Sequence, residues 1–496
     1  MIFIPDSLAM PSQPRDRTTI VWFRQDLRLG DNPALFEAAK AGAVVPVFIL
    51  EDPKDCGETH PMGGASRWWL HHALAALDES LGGRLVLMRG PAGKALDALI
   101  KETGASAIHW NRCYEPHAIA RDKRLKADLM AAGVEVRSFN GSLLHEPWEL
   151  ETKTGGPFKV YSPFWRAALA KAVAAPLPVP EVLDIPQVSQ SLPLSDFALL
   201  PVKPDWAAGW LDLWQPGERG AAARLTAFLA EGLDGYGELR NRPDLPNVSR
   251  LSPHLHFGEI SPRQIWTATR FHTEQHGHLQ KDRDKFLSEI GWREFSYHLL
   301  YHFPHLPERN WKPAFDAYPW AEDEAALKAW QKGLTGYPMV DAGMRELWAT
   351  GYMHNRVRML AASFLVKHLR LHWHHGEAWF RDTLLDADLA NNSASWQWVT
   401  GSGADAAPYF RIFNPVGQGQ KFDPDGVYVR RWCPELAKLP DEFLHCPHEA
   451  PERILKAAGV IPGRTYPRPI VDHAAARAAA LAGYDAVKQA GLEAAG

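Results

Sequence analysis

The chain has 496 residues, of which 46% are hydrophobic and 23% charged; that length exceeds what one hydrophobic core usually organises, so two domains and a connecting segment are expected. No apolar run is long enough to cross a bilayer as a helix, and a net charge of −4 means that a polyanionic partner must meet a local basic patch, not a basic surface overall. The four cysteines, Cys56, Cys113, Cys433 and Cys446, lack CxxC spacing, so free thiols are expected and no metal site is assigned.

In chain order, the opening MIFIPDSLAMPSQPRDR has no long apolar core and reads as a disordered start, not a signal peptide, which points to the cytoplasm. Between Thr18 and Ser138 five β-rich runs, TTIVWF, VVPVFIL, RLVLM, SAIHW and VEVRS, alternate with helical patterns over 33–41, 65–82, 91–103 and 115–132. This alternation predicts a parallel α/β sheet. No GxGxxG follows the first strand, so no Rossmann-type pyrophosphate site is expected there. The predicted divisions are an α/β domain over 18–150, a connecting segment over 151–218 with a proline-rich stretch from Leu177 to Glu218, and a mostly α-helical domain over 219–496. The alanine-rich end, AAARAAALAGYDAVKQAGLEAAG, predicts a peripheral helix.

Four stretches of the second domain combine residues that ordinary packing does not require. In KFLSEIGWREFSYHLL, Phe286, Glu289, Trp292 and Arg293 stand at three- and four-residue spacings, which puts an aromatic wall, a carboxylate and a guanidinium on one helix side. An amphipathic helix with an internal ion pair would use the same residues. In GYMHNRVRM, Asn355 and Met359 share a face while Arg356 and Arg358 project elsewhere, and Met353 is expected in the core. Leu347 to Gly376 holds Arg356, Arg358, Lys367, Arg370 and five histidines without an acidic residue, either a DNA-facing patch or a solvated helix face. In LLDADLANN, Asp386 and Asp388 interrupt an apolar run and must be paired if buried; a metal or acid/base pair is the alternative, without further ligands nearby. The final stretch, NNSASWQWVTGSGADAAPYFRIFNP, joins two tryptophans, small residues and an Asp-Ala-Ala-Pro-Tyr-Phe-Arg block.

With the opening VWFRQDLRLGDNPAL, these stretches closely resemble the photolyase/cryptochrome family over about residues 18 to 440. The resemblance implies an α/β antenna domain, a helical FAD-binding domain and light-driven repair of cyclobutane pyrimidine dimers in DNA, with a blue-light receptor as the second reading and a six-four photolyase as the third. It implies FAD contacts from Tyr236, the loop Val248, Ser249, Arg250, Leu251 and Ser252, Phe286, Arg358, Asp386 and Asp388, with Asp386 bridged to Arg358 and Asn392 facing flavin N5. Val248 departs from the threonine common in the family. Lesion or DNA contacts are implied for Arg240, Glu289, Trp292, Arg293, Asn355, Arg356, Met359 and Gln418, and an electron path for Trp396, Trp373 and Trp320. With 20 tryptophans in the chain, three at chosen places carry little weight alone, and Trp398 is expected in the core.

Asn392 cannot deliver a proton as a carboxylic acid can, and it and Met359 favour repair over signalling. His354 would be the proton donor of a six-four enzyme. Where some relatives hold a folate with an Asn-Glu pair, this chain has His117-Ala118 within NRCYEPHAIARD. The likeness to the plant-cryptochrome-like bacterial branch, including the Ser393-Ala-Ser395 spacer, makes methenyltetrahydrofolate the first antenna choice and 8-hydroxy-deazaflavin the second. A monomer is expected.

Overall fold

A computed structural model describes residues 17–274, 276–406 and 410–493; the expectation for the N-terminal segment and the Ala407-Pro-Tyr409 part of the final motif lie outside them. The five expected strands form as β1 Arg17–Phe23, β2 Gly42–Leu50, β3 Val86–Arg89, β4 Ala107–Asn111 and β5 Glu135–Phe139. All pair parallel in the order β3-β2-β1-β4-β5. Helices cover both faces, which is why β1 and β2 read as apolar runs instead of alternating ones, burying Val21, Phe23, Val44 and Phe48 on one side and Ile20, Trp22, Val45 and Val47 on the other. The first helix, Pro33–Ala41, starts as its sequence demands, with Asn32 accepting from Leu35 N and proline in the first turn. From β1 the chain adds β2 and β3 on one side and then β4 and β5 on the other, so the strand order reverses between β1 and β4, and a crevice opens beyond the carboxyl ends of strands at such a switch point.

After β5 no further strand of the sheet is present among the described residues, and the remainder is helical. The proline-rich stretch runs along the first domain, where Leu177 O, Asp184 O and Leu192 N bond to Asp31, Val44 and Leu87. Ahead of it, the Tyr161–Leu169 helix buries Tyr161 and Phe164 against the Gln280–His302 helix. The buried Glu259 carboxylate accepts from Trp69 Nε1 at 3.0 Å and Gly217 N at 2.7 Å, tying the two halves together. The core of the second half gathers Trp330, Trp373 and Trp396, with Met353 fully buried as expected. The terminal His473–Glu493 helix is peripheral and stacks Tyr484 on Phe410 at 4.5 Å. No described helix is long and apolar enough to cross a membrane, and the four cysteines are free.

Candidate active site

A cavity of about 490 Å³ opens in the helical half. The Gln280–His302 helix gives it Phe286, Glu289, Trp292 and Arg293, so the spacing in the sequence does translate into one cavity-facing side. The loop Val248 to Ser252 and Tyr236 with Arg240 form a second wall, Asn355, Arg358 and Met359 a third, and Asp386, Asp388 and Asn391 a fourth. Phe286 and Tyr236 pack edge to face at 5.5 Å, giving that end an aromatic lining.

One buried ion pair, Arg358 with Asp386, stands at the cavity wall. Arg358 holds Asp386 through two parallel bonds of 2.9 and 2.8 Å while its Nε donates to Met353 O, and Ser252 Oγ donates to the same carboxylate. Burial alone would raise the Asp386 carboxyl, but the Arg358 charge and these hydrogen bonds outweigh it and hold it below the ordinary value. Asp388 caps the Leu389–Thr400 helix by accepting from Asn391 N at 2.9 Å, and burial raises its carboxyl. Arg250 sits in the left-handed region at φ 50°, its guanidinium 5.2 Å from the Tyr352 ring, and has no ion pair among the described residues. A free guanidinium beside two serine hydroxyls and an adjoining aromatic lining fits a ligand that carries both phosphate and flat rings, as FAD does.

The opposite side is an aromatic chamber. Trp292 stacks on Tyr161 with centroids 3.7 Å apart and planes 8° from parallel. Trp398, expected in the core, instead lines the cavity, its indole N–H donated to Asp405 O at 3.1 Å. Trp396 and Trp398 are two apart on a helix and so must face different ways; once Trp396 is buried, Trp398 turns to the cavity. Glu289 accepts from Lys285 Nζ at 2.9 Å and pairs with Arg240 at the chamber's edge. Arg293 lines the cavity and donates from Nη1 to Ser142 O and Glu294 Oε1.

Several residues stand outside the cavity lining. Arg356 donates to Asn241 Oδ1 and lies 4.5 Å over Phe422, and Gln418 is half-buried on the neighbouring Pro415–Phe422 helix. The Asn392 amide group donates to Glu377 O and Oε1, each at 3.0 Å. His354 is 2% exposed and is pushed down to about 3 by burial and by Arg250, Arg358 and Arg356. Of the acid-free run from Leu347 to Gly376, read as either a DNA-facing patch or a solvated helix face, several members are neither: Arg358 is ion-paired, His354 and His368 are buried, and Lys367, 1% exposed over the Phe410 ring, is pushed down to about 7 by burial.

Trp396 and Trp373 are buried, and their helices pack closely because residue 376 is glycine: a Cβ there would lie 2.0 Å from the Trp396 ring. Trp320 reaches Trp373 through His372, at centroid distances of 4.9 and 5.7 Å.

A second cavity of about 190 Å³ lies at the carboxyl ends of β1, β2 and β4, the switch-point position. Arg24, Glu51, Cys56, Glu58, Glu115 and His117 line it, and His256 lines both cavities. Glu115 Oε1 accepts from Gln25 at 2.6 Å, while its Oε2 is buried without a hydrogen-bond partner. Burial and the neighbouring Glu115 push the Glu58 carboxyl up to about 7. Cys56, Glu58 and His117 bring ligand atoms within 4.8 Å of one another, a grouping that no local spacing in the sequence marks.

Two family models match the chain, DNA photolyase over residues 19–181 and the FAD binding domain of DNA photolyase over residues 286–486. A deoxyribodipyrimidine photo-lyase of Agrobacterium fabrum is 56% identical over 477 residues, covering 95% of this chain and 98% of the relative. Cryptochrome-1 of Arabidopsis thaliana is 43% identical, covering 92% and 69%. A crystal structure of a bacterial class III photolyase from Agrobacterium tumefaciens matches with a TM-score of 0.92 at 55% identity, over 97% of this chain and 100% of that one.

Proposed function

The chain belongs to the photolyase/cryptochrome family, and from that premise we propose that it is a deoxyribodipyrimidine photo-lyase that repairs cyclobutane pyrimidine dimers in DNA with light and FAD. The observation that carries this reading is the single chamber in which a polar, cation-bearing end and an aromatic end meet. FAD bound there supplies the chemistry, absorption of light and loan of one electron to the dimer.

The protein's own work is placement. Tyr236, Phe286 and the Val248–Ser252 loop hold the cofactor, with the Arg358–Asp386 pair beside it. Trp292 and Trp398 receive a dimer taken out of the helix, which otherwise loses its stacking, while Glu289 accepts from the edge of the bases and Asn355 and Met359 close the other side. Arg240, Arg356 and Gln418 contact DNA around the opening. Ring splitting needs no proton donor, and the chamber provides none from His354, which is buried, neutral and off the cavity; this disfavours a six-four enzyme. Asn392, bound to Glu377 through its own N–H donors, offers no carboxylic proton, which disfavours a signalling receptor. We read the protein as a cytoplasmic monomer.

The direct test is to reduce the flavin anaerobically, add DNA bearing a thymine dimer, illuminate and follow recovery of thymine absorbance. Recovery that needs both light and reduced flavin supports the assignment; none at full FAD occupancy moves it to a receptor or a six-four enzyme. Trp292→Ala is expected to weaken dimer-containing DNA binding roughly tenfold, the worth of one base stack, with flavin retained. Unchanged affinity in a titration would remove Trp292 from the lesion site.

For the antenna, we infer methenyltetrahydrofolate in the second cavity, with 8-hydroxy-deazaflavin as the alternative. The partnerless Glu115 Oε2 offers an acceptor to the N–H groups of a pterin, and an unsatisfied buried acceptor otherwise costs stability. Glu115→Gln replaces that acceptor with a donor. It is expected to lose folate retention in reconstitution while keeping FAD, and undiminished folate uptake would place the antenna elsewhere.

A further inference from the structure

We propose that Tyr161 and Asp405 form a clamp that fixes both aromatic walls of the chamber, Trp292 and Trp398, in the orientation that receives the lesion. The inference rests on the reading that these walls hold the dimer, and assigns positioning roles to two residues that do not line the cavity.

Trp292 has one ring face backed by Tyr161 at 3.7 Å. Tyr161 is itself held from several sides: its hydroxyl donates to Ser288 O at 2.6 Å, its backbone N–H donates to Asp405 Oδ2 at 3.1 Å, and Trp165 lies nearly parallel to it at 6.4 Å. Trp165 is seated against Gly291, where a Cβ would come within 2.6 Å of its ring. The result is a ladder, Trp165, Tyr161, Trp292, whose last rung borders the chamber. Phe295 packs edge-on against both Tyr161 and Trp292, each at 6.0 Å, blocking sideways rotation.

Asp405 connects this ladder to the other wall. Its side chain holds the first residue of the Tyr161–Leu169 helix, and its carbonyl oxygen accepts the Trp398 indole N–H at 3.1 Å. The residue adopts φ 51°, in the left-handed region that Asp and Asn tolerate better than most side chains. One residue thus ties the backing of Trp292 through its carboxylate and Trp398 through its backbone. A flipped dimer that meets rigid ring faces avoids the ordering cost of freezing them on binding.

The test uses the flavin-loaded protein and two duplexes, one with a thymine dimer and one undamaged. Tyr161→Ala is expected to weaken dimer-duplex binding about fivefold, the scale of one aromatic pair, with the undamaged-duplex affinity and flavin spectrum unchanged. Tyr161→Phe, which keeps the stack, should restore binding, and Tyr161→Ala should add little in a Trp292→Ala background. Asp405→Gly, which removes the carboxylate without backbone strain, should also weaken dimer binding, and Asp405→Asn should restore it. These two keep the idea testable if Tyr161→Ala fails to fold. Wild-type dimer affinity in both Tyr161→Ala and Asp405→Gly while Trp292→Ala is impaired would overturn the clamp, as would equal losses on both duplexes. If Trp292→Ala itself binds the dimer normally, the lesion-wall reading fails and the clamp falls with it.

Discussion

Replacing Asp386 by Asn is expected to give a protein that no longer retains flavin and that is less stable by roughly 3–5 kcal/mol, the cost of stranding one partner of a buried ion pair. The Asp386 side chain is 3% exposed and receives two bonds from Arg358 and one from Ser252. Asparagine keeps the shape but removes the charge that offsets the guanidinium, so Arg358 is left partly desolvated at the wall of the cavity proposed to hold the flavin. The parent also has a defined acid limit. Because the Asp386 carboxyl is held below its ordinary value, its contribution is fully present above the ordinary carboxylate range and is lost as pH falls through the depressed value. Thermal unfolding followed against pH should therefore show an acid decline that is shallower in Asp386→Asn. Replacing both partners with apolar residues should recover much of the stability but not the flavin. If Asp386→Asn keeps its flavin and its midpoint, the pair is not what organises that end of the cavity.

The parts of this architecture that were legible in the sequence are those whose physical period is local. Short apolar β-rich runs alternating with helical patterns announced the sheet, and three- and four-residue spacings placed Phe286, Glu289, Trp292 and Arg293 on one side of a helix. Features set by partners far along the chain were not legible. The acid-free run from Leu347 to Gly376 reads as a basic surface only while the partners of its charges are unknown. Arg358 finds Asp386 on a later segment, and Lys367 is covered by the ring of Phe410. Tyr161 lies in a stretch whose composition suggests a connector, and only the fold brings it against Trp292. Trp398 is a different case. Its two-residue offset from Trp396 already implied opposite faces, so geometry within the sequence carried the answer and the usual burial of tryptophan obscured it.

Trp373→Phe is expected to slow photoreduction of the oxidised flavin by more than an order of magnitude while leaving repair by chemically reduced enzyme unchanged. Phenylalanine keeps an aromatic ring in the core but is much harder to oxidise than an indole, so an electron can no longer pause at that position. Trp373 is fully buried, donates its indole N–H to Asn310 Oδ1 at 3.0 Å, and begins the helix whose Gly376 admits the Trp396 ring. On its outer side His372 separates it from the half-buried Trp320. His372 is pushed down to about 4 by burial and by His374 and His375, so it is neutral near pH 7 and adds no positive charge to oppose a tryptophan cation beside it. Removing the middle indole breaks the Trp396, Trp373, Trp320 series, whereas the chamber proposed to receive the dimer is not lined by Trp373. The two assays therefore separate electron supply from lesion handling. Slow photoreduction with normal repair places Trp373 on the supply route, a normal rate in the variant takes it off that route, and loss of both activities would mean that the indole is needed to shape the flavin site itself.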